Sequence, residues 1–290
     1  VTRAMAQHHE IPYEKLIIGP LTTVGEMAMG GHWLEMLKVQ RQAGTYPSYV
    51  AAARHMWQEL GFLSFYKGFW PYGVFQGMYK GLPVIFVQGE AKHKLVEAGM
   101  DAKRAGVVAG VTAGMVQGAM VAPTQRLKTI VGTNLAAGAV STDLIAKVVR
   151  EEGFMTIFKG TTVMVVRRGV DWGLRFYAKG LSDRFFLSLK ADDQPKKLTA
   201  AESFASGIFG GAFSGINQPL DVWLANSQKH RDKPVSVFGA FGELVKESQT
   251  RGFFPVWYRG VGMRIIHSSY HTAWMAGLGS YIADVYRASK

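Results

Sequence analysis

Several charged residues of this 290-residue chain lie inside otherwise apolar stretches, where a charge needs a chemical reason. Residues 16–34 are interrupted by Glu26, residues 69–89 by Lys80, and residues 161–180 by Arg167, Arg168, Asp171, Arg175 and Lys179. An arginine in an apolar setting presents a planar fork of donors that matches a carboxylate or a phosphate, and a lysine adds a point charge. Asp171 and Arg175 stand four apart, so on a helix they can instead satisfy each other, with Arg168 beside them. His267 and His271 have the spacing of two metal ligands on one helical face, but no third ligand accompanies them, so no metal is expected. The sequence offers no phosphate-cradling glycine loop, no paired carboxylates on a strand and no nucleophile with a partnered base, so neither an enzyme nor a cofactor is expected.

Such groups have to be held by elements that are apolar elsewhere. Residues Ala105 to Gln125, Ser203 to Leu220 and Ile265 to Ala283 carry no Lys, Arg, Asp or Glu. Each run approaches or exceeds the ~20 apolar residues that cross a bilayer core. The three charge-interrupted stretches are then further spans whose charges face a bundle interior or a watery cavity. Soluble core helices fit less well, because the first uncharged run holds four glycines at about 1 kcal/mol each in a soluble helix. The net charge of +12 suits anionic lipid head groups or anionic solutes. Nucleic acid ranks low as a partner, since the bases are scattered and no nucleic-acid motif accompanies them. The absence of Cys excludes disulfides and thiolate metal sites, and the N-terminal residues show no secretory signal.

The chain repeats itself. An aromatic, a base and a glycine recur at Tyr66-Lys67-Gly68, Phe158-Lys159-Gly160 and Tyr258-Arg259-Gly260, each preceded by a glycine at Gly61, Gly153 or Gly252. Upstream of each lies a short helix-period stretch whose apolar faces are Val50, Ala53, Trp57 and Leu60, then Leu144, Ile145, Val148 and Val149, then Phe238, Phe241 and Val245. These stretches are too short and too charged to span and should lie along a membrane surface. Before each surface helix, a long apolar helix ends in a polar segment starting at Trp33, Pro123 or Pro219. Each unit therefore reads as span, surface helix, span, with divisions at 1–98, 99–194 and 195–290. Glycines at fourfold spacing, Gly106, Gly110, Gly114 and Gly118, then Gly207, Gly211 and Gly215, predict close helix packing in the second and third units.

This arrangement resembles the mitochondrial carrier family along nearly the whole chain. The resemblance implies an all-α membrane protein with six transmembrane helices in three pseudo-symmetric repeats, each with a surface amphipathic helix, forming a barrel around a central solute cavity. It implies a multi-pass protein of the mitochondrial inner membrane that exchanges metabolites by alternating access. It also implies bound membrane lipid, cardiolipin included, at Gly61, Gly153 and Gly252 with Lys67, Lys159 and Arg259.

The family's matrix gate maps onto the acid positions Glu35, Gln125 and Asp221, the base positions Lys38, Lys128 and Leu224, and the bracing positions Gln42, Gly132 and Gln228. Family pairing would join Lys38 to Gln125, Lys128 to Asp221 and Leu224 to Glu35, of which one is a full ion pair. Trp33 stands where the family has a kinking proline, which predicts an unbroken first helix. The second gate's positions, Val87, Gln88 and Ala91, then Lys179, Gly180 and Asp183, then Gly279, Ser280 and Ala283, match the family pattern in no unit. The family's solute-facing positions fall on Phe75, Arg167 and His267, with Lys80 and Arg168 as further candidates. The gate census favours a transport-impaired, structural or accessory subunit of a larger inner-membrane complex, and the alternative is a working antiporter for a small anionic metabolite.

Overall fold

The structure, a computed structural model, describes residues 13–133, 141–190, 198–229 and 235–288. Among these residues every element is a helix or helical turn. In chain order they are α1 (Tyr13–Glu26), α2 (His32–Gln42), α3 (Tyr49–Leu60), α4 (Val74–Tyr79), α5 (Leu82–Glu97), α6 (Ala102–Thr133), α7 (Ser141–Glu152), α8 (Thr161–Ser188), α9 (Ala200–Phe213), α10 (Gln218–Gln228), α11 (Val237–Arg251), α12 (Phe253–Trp257) and α13 (Val261–Ala288). Six long arms emerge: α1 with α2, α4 with α5, α6, α8, α9 with α10, and α13. Each arm packs on its neighbours in order, and α13 returns to α1, so the six close into a ring. Among the described residues α6 is the helix long and apolar enough to cross a membrane by composition alone. The other arms carry the charges or breaks already visible in the sequence. The expected division at 98/99 falls in the turn after α5, and that at 194/195 lies outside the described residues.

The recurring glycines have a backbone cause. Gly61, Gly153 and Gly252 end α3, α7 and α11 at φ of 58, 81 and 87°. Gly68, Gly160 and Gly260 open the even-numbered arms at φ of 77, 84 and 85°. A side chain is disfavoured in that region, so glycine recurs wherever the chain turns from the surface helix back into the ring.

The glycine ladders bring helices together. A Cβ on Gly114 would lie 2.5 Å from the Arg168 carbonyl oxygen, and one on Gly118 would lie 2.8 Å from that of Met164. Gly110 meets the Phe176 ring, and Gly211 would bring a Cβ to 3.0 Å from the Ser268 carbonyl oxygen. Gly106 has nothing within 4 Å, so the first ladder starts one rung later than the spacing suggests.

Two expectations need correcting. The first arm is broken although Trp33 replaces proline: a π-helical turn, Met27–Gly31, interrupts it, and Gly30 leaves the helix at φ 157°, ψ −29°. Glycine supplies there the freedom that proline supplies by removing a hydrogen bond. The surface helices also turn their apolar residues differently from the simple periodic reading. Val50, Trp57 and Leu60 of α3 and Phe238 and Phe241 of α11 are exposed, while Ala52 and Met56, and Ala240 and Leu244, are buried against the ring. Large apolar groups outward and compact ones inward suit a helix lying between protein and lipid.

Candidate solute cavity

The polar ends of the three odd arms converge and tie to one another. The Gln40 amide donates to the carbonyl of Gly132, joining α2 to α6. Asn226 Nδ2 donates to the Gln42 carbonyl at 3.0 Å, and Gln42 Nε2 donates to Asp221 Oδ2 at 3.3 Å, joining α2 to α10. Thr129 Oγ1 and Gln228 Oε1 are 3.5 Å apart, joining α6 to α10. The Lys229 ammonium reaches the Ala43 carbonyl at 2.7 Å. Most of this closure is made by neutral amides and hydroxyls.

Inside that closed end lies a layer of buried ion pairs. Lys128 on α6 binds Glu35 on α2, and its Nζ also donates to Gln76 Oε1 at 3.0 Å. Asp221 on α10 takes Arg167 from α8 on one oxygen and Arg264 from α13 on the other. Arg264 also reaches Asp171 at 2.8 Å, and Asp171 receives Arg175 at 3.1 Å. Lys128 therefore pairs with Glu35 rather than with Asp221, the expected partner. The reason is local: Leu224 leaves Glu35 without a base, and two arginines from the even arms already neutralise Asp221.

All of these groups except Lys128 line a central cavity of about 110 Å³. Lys38, Lys80, Arg167, Arg168, Arg175 and Arg264 face Glu26, Glu35, Asp171 and Asp221 across it, so bases exceed acids by two before histidines are counted. Three of the bases stand apart. Lys38, Lys80 and Arg168 have no ion-paired or hydrogen-bonded carboxylate among the described residues, and the Arg168 Nε is buried without a partner. Around them, Gln117 links the Lys80 carbonyl at 2.7 Å to the Trp172 indole at 2.9 Å, and Gln76 donates to Thr124 at 3.2 Å and to Gln125 at 3.4 Å. The arrangement can receive a small polyanion, because a carboxylate would supply the acceptors that these cations lack.

The sequence-predicted residues divide accordingly. Arg167, Arg168, Lys80 and His267 line the cavity, as do Glu35, Lys38, Gln42, Gln125, Asp221 and Gln228. Phe75 does not: it is 63% exposed and meets the Tyr79 ring edge-on. Its neighbour Gln76 holds the inward position, four residues before Lys80 and so on the same helical face. Arg259 is buried, its guanidinium held by Glu247 at 3.0 Å and by the Gln42 carbonyl at 2.9 Å, so it braces α11 against α2 instead of facing lipid. Burial is the larger influence on Arg259 and lowers its pKa, with Glu247 acting in the opposite direction. Of the second-gate positions, the side chains of Lys179, Gly279, Ser280 and Ala283 lie outside the described residues, and Asp183 accepts from Ser206 on α9. Sequence reasoning missed Gln76 and Gln117, which carry no charge to mark them.

Comparison with known proteins agrees with this architecture. The sequence profile described as Mitochondrial carrier protein matches residues 104–190. The chain is 25% identical over 282 residues to the Citrate/oxoglutarate carrier protein of Saccharomyces cerevisiae, covering 93% of this chain and 88% of the relative. These matches support membership of the mitochondrial carrier family. The chain is also 25% identical over 267 residues to the Succinate/fumarate mitochondrial transporter of the same yeast, covering 81% of the carrier described here and 80% of the relative. To the Mitochondrial citrate transporter C of Aspergillus niger it is 22% identical over 273 residues, with 87% and 80% covered. The carrier is accordingly a mitochondrial membrane protein with the six-helix all-α fold of its family, whose members are solute transporters.

Proposed function

We propose that this carrier exchanges small di- and tricarboxylate anions across the inner mitochondrial membrane by alternating access. The observation that carries the reading is the trio Lys38, Lys80 and Arg168, cavity cations without a carboxylate partner in a cavity where bases outnumber acids. Buried or half-buried cations without a carboxylate partner weaken a scaffold that does not use them, so their presence fits a ligand that supplies the missing charge. The printed names of the relatives, citrate with oxoglutarate and succinate with fumarate, point to the same chemistry. A multi-pass topology with lipid at the repeat glycines, together with Lys67 and Lys159, belongs to the same proposal and is supported by the net charge of +12.

The competing reading is an accessory subunit that no longer alternates, and its support is the incomplete gate motif. The Lys128 to Glu35 pair and the amide ties occupy the places where motif pairs would stand, which weakens that support. The deciding experiment is exchange of labelled citrate, 2-oxoglutarate and succinate in liposomes by the purified protein. Saturable uptake that requires a carboxylate on the far side, and that drops at least about tenfold in Arg168→Ala, is the expected result. Stable co-purification with a multi-subunit complex, together with no uptake of any carboxylate, would overturn it.

A further inference from the structure

Gln117 uses both ends of its amide. It sits on α6 with 4% exposure, its Nε2 donates to the Lys80 carbonyl at 2.7 Å, and its Oε1 accepts from the Trp172 indole at 2.9 Å. The first tie falls on a break in the second arm. Lys80 and Gly81 lie between α4 and α5, and Pro83 in the first turn of α5 has no N–H with which to continue the ladder from Tyr79. The Lys80 N–H still reaches the Gln76 carbonyl at 3.0 Å, but the Lys80 carbonyl has passed the end of α4, and Gln117 takes the place of a helical donor there. The second tie falls on the wall of the fourth arm. Trp172 is one turn beyond Arg168 on α8, so the two share a face, and its ring stacks on Phe176 with centroids 5.6 Å apart. Gly114 of α6 leaves the room: a Cβ there would come 2.9 Å from the Trp172 ring and 2.5 Å from the Arg168 carbonyl oxygen. Gln117 stands three residues further along that same face of α6.

We propose that Gln117 is a positioning residue that sets the separation of Lys80 and Arg168, and so selects anions by the distance between their carboxylates. The proposal rests on the carboxylate-exchange reading above. The two cations belong to different arms, and the arm between them is hydrogen-bonded to the backbone of one and to the side chain one turn from the other. A lysine stem is flexible, and a helix break loosens the backbone that carries it. Fixing the Lys80 carbonyl fixes the direction in which that stem leaves the chain, while fixing the indole fixes the face of α8 from which Arg168 extends. An amide of this length is suited to both tasks at once, because a glutamate cannot donate, a lysine cannot accept, and an asparagine is one methylene short. A dicarboxylate that matches the held separation meets both cations, whereas one that is a methylene shorter or longer meets one well and the other poorly. Lys38, on α2, stands outside this linkage and remains for the third carboxylate of a tricarboxylate.

The test uses the full chain in liposomes. Labelled succinate, glutarate and adipate, which differ only in the number of methylenes between their carboxylates, are each exchanged for internal 2-oxoglutarate, and KM and kcat are measured separately. For the native chain we expect one length to have a kcat/KM about tenfold above the others. Gln117→Met keeps the length of the side chain and removes both ties. In it, KM for the preferred length rises about tenfold with kcat within about twofold, and the preference among lengths shrinks to about twofold. Trp172→Phe, which removes the indole donor and keeps a ring, shifts the preference in the same direction by a smaller factor and serves if Gln117→Met does not fold. An equal loss for all three lengths, or an unchanged preference in the variants that fold, would overturn the positioning role while leaving carboxylate exchange intact. A native chain indifferent to length would do the same. Absence of every carboxylate exchange in the native chain would overturn the underlying function and the positioning role with it.

Discussion

The closed end of the ring and the cavity above it are built from opposite chemistry. At the closed end, the amide donors of Gln40, Gln42 and Asn226 reach backbone carbonyls or Asp221, and Thr129 meets Gln228, while the Gln40 Oε1 is buried without a partner among the described residues. In the cavity, the four acids are outnumbered, and Lys38, Lys80 and Arg168 have no carboxylate among the described residues. Each neutral tie contributes only about 1 kcal/mol net, so the closure is a sum of small terms that a bound anion can offset. The cavity cannot satisfy itself and gains most when a ligand arrives. The closed end is thus poised to open, and the cavity is poised to be filled.

Asp221 belongs to both regions, taking Gln42 from the closed end and Arg167 and Arg264 from the cavity wall. Asp221→Ala is the harshest way to break the distinction, because it strands the buried Arg167 and leaves Arg264 with Asp171 alone. The expected loss is about 3–5 kcal/mol in unfolding measured in detergent. Gly118→Val disturbs neither region directly but forces α6 and α8 apart against the Met164 carbonyl, and about 1–3 kcal/mol of destabilisation is expected with citrate binding weakened in step. Asn226→Ala removes one neutral tie and should cost about 1–2 kcal/mol while leaving citrate affinity in the cavity within about twofold. Equal citrate loss in Asn226→Ala and in a cavity variant would erase the comparison.

The sequence showed the scaffold more plainly than the site. The repeat glycines recur because the backbone at those turns needs positive φ, and that constraint is written in residue identity. Gly114, Gly118 and Gly211 likewise announce close approach by spacing alone. The gate was harder to read because amides replace charges: Gln42 was marked only by the family's bracing position, and Gln40 carries no signal that separates a tie from a solvated side chain. The pairing of Lys128 with Glu35 depended on which acids the even arms had already neutralised, which no count along the chain contains. Phe75 failed by one residue, and on a helix one residue is about 100° of rotation. The break at Gly30 escaped notice because proline was the expected cause.

The central claim is that surplus cations in the cavity bind a carboxylate anion. It is tested most directly by thermal unfolding of the purified carrier in detergent as citrate is titrated, for the native chain and for the double variant Lys80→Gln, Arg168→Gln. Citrate should stabilise the native chain progressively, by about 2.7 kcal/mol at a concentration one hundredfold above its dissociation constant. The double variant should show no such rise, and without citrate it should be as stable as the native chain or more so, since two half-buried cations without a carboxylate partner are gone. An equal citrate-dependent rise in both proteins would contradict the account.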